Sequence, residues 1–439
     1  MPSRPRRPVT GVLLAVLVAS SASVAPAAET YMVRPVARTG DAAPGGGTFD
    51  RFGQETLPIV APVNAAGDVA FFATLSHGRA DEGLFLRRGG RLLVVAREGD
   101  AVPGAGRLAG FGKHPTPALN DPGTVVFAAE VTGGRAVEGI FAWAAGRIRP
   151  IAVTGSRAPD MGSSVLAALD APSVNARGDV VFLATVRRGR ESSDAILVSA
   201  GGALRKVVAQ GDPAPAGGVF AAFGPPAVNA RGDVAFGAVV EGKAVPGGIF
   251  VARGDQIGQR QQMHQRQQIH QQIEMMVGAG EETPIGGIFA KFSERISFND
   301  AGVIAFHGML KAAPVAAAIF AVDGGRVVPV ARLGDPAPGG GTISQFGLWP
   351  TVSASGAIAF AASVENGPTS MAILLAGADG LRRVVAVGDA LPGTDRIASL
   401  TLFPVVSVGP RGQVTFAVAP TATGEGPEGV FSAEPTLAH

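Results

Sequence analysis

Apolar residues in this chain come in short bursts, not in long periodic stripes. Seven bursts stand out: Val69-Ala70-Phe71, Val125-Val126-Phe127, Val180-Val181-Phe182, Val234-Ala235-Phe236, Ile304-Ala305-Phe306, Ile358-Ala359-Phe360 and Val414-Thr415-Phe416. Each is apolar at consecutive positions and too short for a helix, which predicts a strand buried on both faces, as in sheets stacked against one another. The small central residue lets a neighbouring sheet come close. Each burst follows an Asn-x-x-Gly element, at Asn64/Gly67, Asn120/Gly123, Asn175/Gly178, Asn229/Gly232 and Asn299/Gly302, then altered at Ser353/Gly356 and Gly409/Gly412. That pattern predicts a turn, because Asn can bond its own turn backbone and Gly accepts positive φ.

Successive elements lie 56, 55, 54, 70, 54 and 56 residues apart, so one unit occurs seven times and one copy carries an insertion. Within a unit the order is an apolar strand, Gly-Asp, a Pro/Gly-rich loop, Phe-x-x-Phe-Gly, Pro-x-Val-Asn, the buried burst, then Gly-Ile-Phe. A hairpin through Gly89-Gly90, Gly201-Gly202 or Gly324-Gly325 leads back to the next apolar strand, giving about four strands per unit. Radial repetition of four-stranded units is the propeller solution. A β-helix needs shorter coils and parallel pairing, and a helical solenoid needs a 3.6-residue period that is absent. The predicted fold is all-β, a seven-bladed β-propeller of four-stranded antiparallel blades. Its N-terminal strand, around Val33 to Ala37, should pair with Gly429-Val430-Phe431 in the last blade and close the ring.

The residues at this point resemble a known family. The stretches Asn64–Phe71 and Asn229–Phe236 are similar to the motif Asn-x-x-Gly-x-Val-Ala-Phe of exported bacterial tandem-repeat proteins, an uncharacterised β-propeller-like family. The resemblance runs through essentially all seven copies, although the last two lack the Asn. It implies the architecture and export, and supplies no catalytic residue. Members often carry a C-terminal surface anchor; none is expected here.

Composition agrees with a packed β protein: 46% hydrophobic and 16% charged residues, with 62 Gly and 33 Pro for turns. The N-terminus reads as a signal peptide over residues 1–27. Arg4, Arg6 and Arg7 precede the apolar stretch Val9 to Val18, and Ala25-Pro26-Ala27 offers a small-x-small cleavage site. A retained anchor is the alternative, but Ser20, Ser21 and Ser23 interrupt a stretch too short to span a bilayer. Without those three arginines the balance is 34 basic to 35 acidic residues, so no nucleic-acid footprint remains. The chain has no cysteine, which excludes disulfides and thiolate chemistry. Expected after cleavage is a secreted or periplasmic monomer of one domain, 31–439, without a membrane span.

An insertion at 255–273 interrupts one hairpin at its tip. It is Gln-rich from Gln259 to Gln272, with His264 and His270 too far apart for a shared helical face, so metal binding is not expected there. The Gly-Asp elements, at Asp41, Asp100, Asp212, Asp335 and Asp389, invite a rim of calcium ligands. The plainer reading is an Asx turn that shapes the following Pro/Gly loop, since Glu281 and Ser156 fill the same slot.

The loops before the Pro-x-Val-Asn strands keep their register while their residues vary. They place Glu55, Lys113, His114, Asp170, Glu294, Arg295 and Trp349 at corresponding positions. If these loops share one face, they form a mixed polar patch near the central channel, where propellers usually bind; otherwise they are ordinary solvated loop variety. No Gly-x-Ser-x-Gly elbow, His-Glu-x-x-His or phosphate-cradling motif occurs, and no cofactor is implied. The leading expectation is a non-catalytic binding scaffold for an extracellular protein or polymer. The alternative is a hydrolase or lyase acting on an extracellular polymer, through Glu55, His114, Asp170, Glu294 and Arg295.

Overall fold

The computed structural model describes residues 30–52, 59–111, 116–215, 217–242, 245–257, 273–393, 396–400, 406–420 and 428–436. The expected signal peptide therefore lies outside the described residues, as does the Gln-rich stretch. The structure is a ring of seven antiparallel sheets, the propeller that the repeat predicts. The third blade shows the plan: Val165–Val174 pairs with Val180–Arg188, which pairs with Glu191–Ala200, which pairs with Ala203–Ala209. First strands of successive blades touch around the ring axis. Hydrogen bonds join some of them, such as Val352 N–H to Ser297 Oγ at 3.0 Å and Thr351 Oγ1 to the Val406 carbonyl at 3.1 Å.

The ring closes where the sequence places it. The N-terminal strand Thr30–Arg38 runs antiparallel to Gly429–Thr436, with Val33 opposite Ala433 and Arg38 opposite Gly429. Hairpin chemistry explains the antiparallel order inside a blade. Gly89 and Gly90 both have positive φ, +54° and +80°, the pair of values that a type I′ turn requires and that matches strand twist.

Core packing follows the short apolar bursts. Val69, Ala70 and Phe71 are all fully buried, but on alternate faces. Ala70 packs with Phe72 against Val125 and Phe127 of the second blade, while Val69 and Phe71 join Phe49, Phe52 and Phe85 of their own blade. The Phe49 and Phe85 rings meet edge to face at 4.9 Å. Burying one such ring contributes about 1.5–3 kcal/mol, and the repeat supplies several per blade.

Two sets of polar bonds then fasten blade to blade. The first uses the Asn-x-x-Gly turns. Asn64 Oδ1 accepts the N–H groups of Ala66 (3.1 Å) and Asp68 (2.9 Å), which holds its own turn. Its Nδ2 reaches the next blade, donating to the Asn120 carbonyl at 3.3 Å. Asn120 bonds Asn175 at 2.9 Å, Asn175 bonds Asn229 at 2.8 Å, and Asn299 bonds Ser353 at 2.8 Å in the same way. The two altered copies keep the scheme by other means. Ser353 Oγ accepts the Ala357 N–H at 3.0 Å, and Gln413 Nε2 donates to the Asn64 carbonyl at 3.1 Å, linking the last blade to the first. At the junction after Asn229, Arg231 Nη1 bonds the Asp300 carbonyl at 3.0 Å.

The second set lies at the opposite ends of the strands. Glu82, at the start of a third strand, accepts the N–H of Phe111 in the following blade at 2.9 Å. Glu138 accepts from Leu169 at 2.9 Å, and Glu428 from Phe52 at 3.1 Å. Burial raises the Glu82 and Glu428 carboxyls above their ordinary range, and these same N–H bonds oppose the rise. The corresponding positions elsewhere are Asp194, Gly247, Ala317 and Met371.

In the insertion, strand Gly247–Ala252 leads into a one-turn helix, Gly254–Ile257, and the partner strand begins at Ile273, which faces Ala252. The hairpin is thus kept across the extra residues. Among the described residues no helix is long and apolar enough to cross a membrane.

Candidate functional site

The first strands of the second to sixth blades each carry a bulge, for example between Phe289 and Lys291. Of the seven candidate residues, Glu55, Lys113 and His114 lie outside the described residues. The other four come from the third, fifth and sixth blades. Arg295 is partly buried with its guanidinium carbon 5.3 Å from the centre of the Trp349 ring, a cation–π contact between adjacent blades. Burial pushes the Arg295 guanidinium below its ordinary range, while the carboxylates of Asp170 and Glu294 oppose that shift. Among the described residues its guanidinium makes no hydrogen bond or ion pair. Asp170, whose neighbour Ala171 is held at φ +49°, has partners of its own. The site is therefore a partly buried cation resting on an aromatic face.

His307 belongs beside this group, although its position in the repeat did not single it out. Its N–H bonds Ser293 Oγ at 3.2 Å and its carbonyl accepts the Ser293 N–H at 2.8 Å, so it backs the loop that carries Glu294 and Arg295. Its ring meets Phe346 of the sixth blade edge-on at 5.5 Å, and its buried Nε2 has no hydrogen-bond partner among the described residues. Burial lowers its pKa, keeping the imidazole neutral. The signal was in the sequence: His307 occupies a slot filled by Phe72, Ala128, Leu183, Gly237, Ala361 and Ala417 in the other copies.

The Gly-Asp elements do something simpler than ligating a rim of ions, and the turn they shape is upstream of them. Each carboxylate reaches back to the N–H three residues earlier: Asp41 to Arg38 at 2.9 Å, Asp100 to Arg97 at 2.8 Å, Asp212 to Ala209 at 2.9 Å, Asp335 to Arg332 at 2.8 Å and Asp389 to Ala386 at 2.8 Å. Asp212 also holds Lys206 at 3.0 Å. These side chains tie off the outer strand before the Pro/Gly loop, where the sequence reading had them shape the loop itself. Among the described residues no three metal-ligating side chains gather at one point.

Residues 18–258 and 247–434 each match the family of unknown function DUF7453. The chain belongs to that family. The two matches together take in nearly every blade of this DUF7453 chain. No curated protein matches it. Among solved structures it is similar to an oligogalacturonate lyase in complex with manganese, at 12% identity and TM-score 0.48, over 93% of this chain and 99% of that one. An oligogalacturonate lyase from Vibrio parahaemolyticus is similar at 10% identity and TM-score 0.49, over 92% and 97% of the two chains. The polysaccharide lyase Uly1 is similar at 10% identity and TM-score 0.46, over 93% and 100%. At these identities none of the three bears on what the DUF7453 propeller binds.

Proposed function

We propose that this propeller is an exported, non-catalytic binding scaffold, with its ligand held at the channel end formed by Asp170, Glu294, Arg295 and Trp349. One observation carries the reading: the Arg295 guanidinium is partly buried against Trp349 with no hydrogen-bond acceptor among the described residues. A buried cation is costly unless something pairs with it, and a ligand carboxylate or sulfate can do so in bidentate fashion. The ligand class is therefore an anionic extracellular polymer or an acidic protein segment. Export rests on Arg4, Arg6, Arg7, the apolar stretch after them and the Ala25-Pro26-Ala27 site, together with the resemblance to exported bacterial tandem-repeat proteins. N-terminal sequencing of the exported protein should return Ala28 as the first residue, and an intact Met1 would contradict export by cleavage.

The approach of Asp170 and Glu294 to Arg295 favours the second reading, a hydrolase or lyase acting on the bound polymer. One experiment separates the two. Arg295→Ala should weaken binding of a carboxylated polysaccharide at least tenfold, and the wild-type protein should leave that polymer's chain length unchanged on prolonged incubation. Shortening of the polymer would establish catalysis instead. Binding that ignores the substitution would remove the site.

A further inference from the structure

A second cleft, of about 530 Å³, opens between the fourth and fifth blades, walled by Gly224, Gly237, Ala238, Gly247, Gly248 and Phe292. Its origin lies in one of the three junctions that lack the carboxylate. Where Glu82, Glu138 and Glu428 fill the equivalent junctions, the fourth blade has Gly247. The second strand has Gly237 at the neighbouring slot, with open space where a side chain would stand.

The main-chain group that such a carboxylate would bond is still turned toward the gap. Phe292 pairs with Gly308 after a bulge, as Leu169 pairs with Ala184 after its bulge. The next residue, Ser293, donates its N–H into the ladder to the His307 carbonyl at 2.8 Å. Successive N–H groups of a strand point to opposite edges, so the N–H of Phe292 faces out of the sheet toward Gly247, as the N–H of Leu169 faces Glu138.

We propose that this cleft binds a carboxylate carried on a short apolar stem, such as a small aliphatic acid, which takes the place of the missing glutamate side chain. The carboxylate accepts the Phe292 N–H and the stem lies on the glycine and alanine walls. Two further features fit that occupant. The exposed apolar side chain of Val239, 50% accessible, lines the cleft, and Met309, 43% accessible, is the ladder partner of the lining residue Lys291. The charged residues lining the cleft are Lys291 and Glu294. The protein cannot easily refill the gap itself, since a Cβ at Gly247 would press on the Ala238 carbonyl at 2.6 Å. This proposal does not rest on the channel reading, although the two sites share Glu294.

Straight-chain carboxylates from butyrate to octanoate, titrated into the full chain and followed by calorimetry and by the amide resonance of Phe292, test it. Saturable binding is expected, with the Phe292 amide moving most and hexanol binding at least tenfold more weakly than hexanoate. Ala238→Leu, which fills the cleft, should abolish binding with the circular dichroism spectrum unchanged. Lys291→Ala, on an exposed side chain that leaves the fold alone, should weaken it several-fold, and Arg295→Ala should leave it unaltered. No saturation by any acid, equal binding of hexanol, a response confined to other amides, or loss of binding in Arg295→Ala alone would overturn the proposal.

Discussion

At the residue scale, a repeated side chain in a closed ring can serve two masters. Asn120 is buried, takes the N–H of Thr124 on Oδ1 at 2.7 Å, and gives its Nδ2 to the Asn175 carbonyl at 2.9 Å. Asn120→Ala therefore strands one donor and one acceptor, and should lower stability by about 2 kcal/mol or more in chemical denaturation. An unchanged midpoint would show that the inter-blade bond contributes nothing. The first half of this role was legible in the sequence, because Asn and Gly at that spacing specify a turn by local chemistry alone. The second half was not, since its partner lies 55 residues away and is adjacent only once blades stack. The substitution of Gln413 for the seventh Asn was hidden for the same reason, being four residues from the slot the repeat marks. His307 gives a prediction in pH. Its folded pKa is lowered by burial, so its neutral form favours the native state. Stability is full above the unfolded value near 6.5 and falls as pH drops through it toward the folded value. His307→Phe, which restores the kind of residue found at Phe72, should flatten the melting temperature between about pH 7 and 5. A slope as steep as wild type would place the titration elsewhere.

At the scale of the element, what a strand must do depends on where its ends lie. The bursts such as Val69-Ala70-Phe71 were readable because their composition answers to burial on both faces, and Ala70 indeed meets the adjoining sheet. The glutamates at third-strand starts were equally present in the sequence, as Glu-Gly-(Leu, Ile or Val)-Phe at Glu82, Glu138 and Glu428, but their function needs the neighbouring blade's bulge to be seen. Glu138→Ala leaves the Leu169 N–H without its acceptor and should destabilise the protein by about 1–3 kcal/mol. The change belongs to the second and third blades, so hydrogen exchange should quicken first at Leu169. Uniform quickening around the whole ring would mean that blades do not open individually.

At the scale of the molecule, closure by Thr30–Arg38 turns seven similar sheets into one cooperative ring. Closure also brings Arg295 and Trp349, drawn from adjacent blades, into contact. The sequence located those positions by their variability within a constant register, but only the ring sets Arg295 over Trp349. The direct measurement uses the two tryptophans, Trp143 in the core of the second blade and Trp349 beneath Arg295. In a Trp143→Phe protein, Trp349 is the sole indole, and titration with alginate should change its emission in a saturable, salt-sensitive way. Neutral dextran should have no effect, and adding Arg295→Ala should abolish the alginate response. An emission that ignores alginate, or that responds to both polymers alike with or without Arg295, would contradict a channel built to hold an anion.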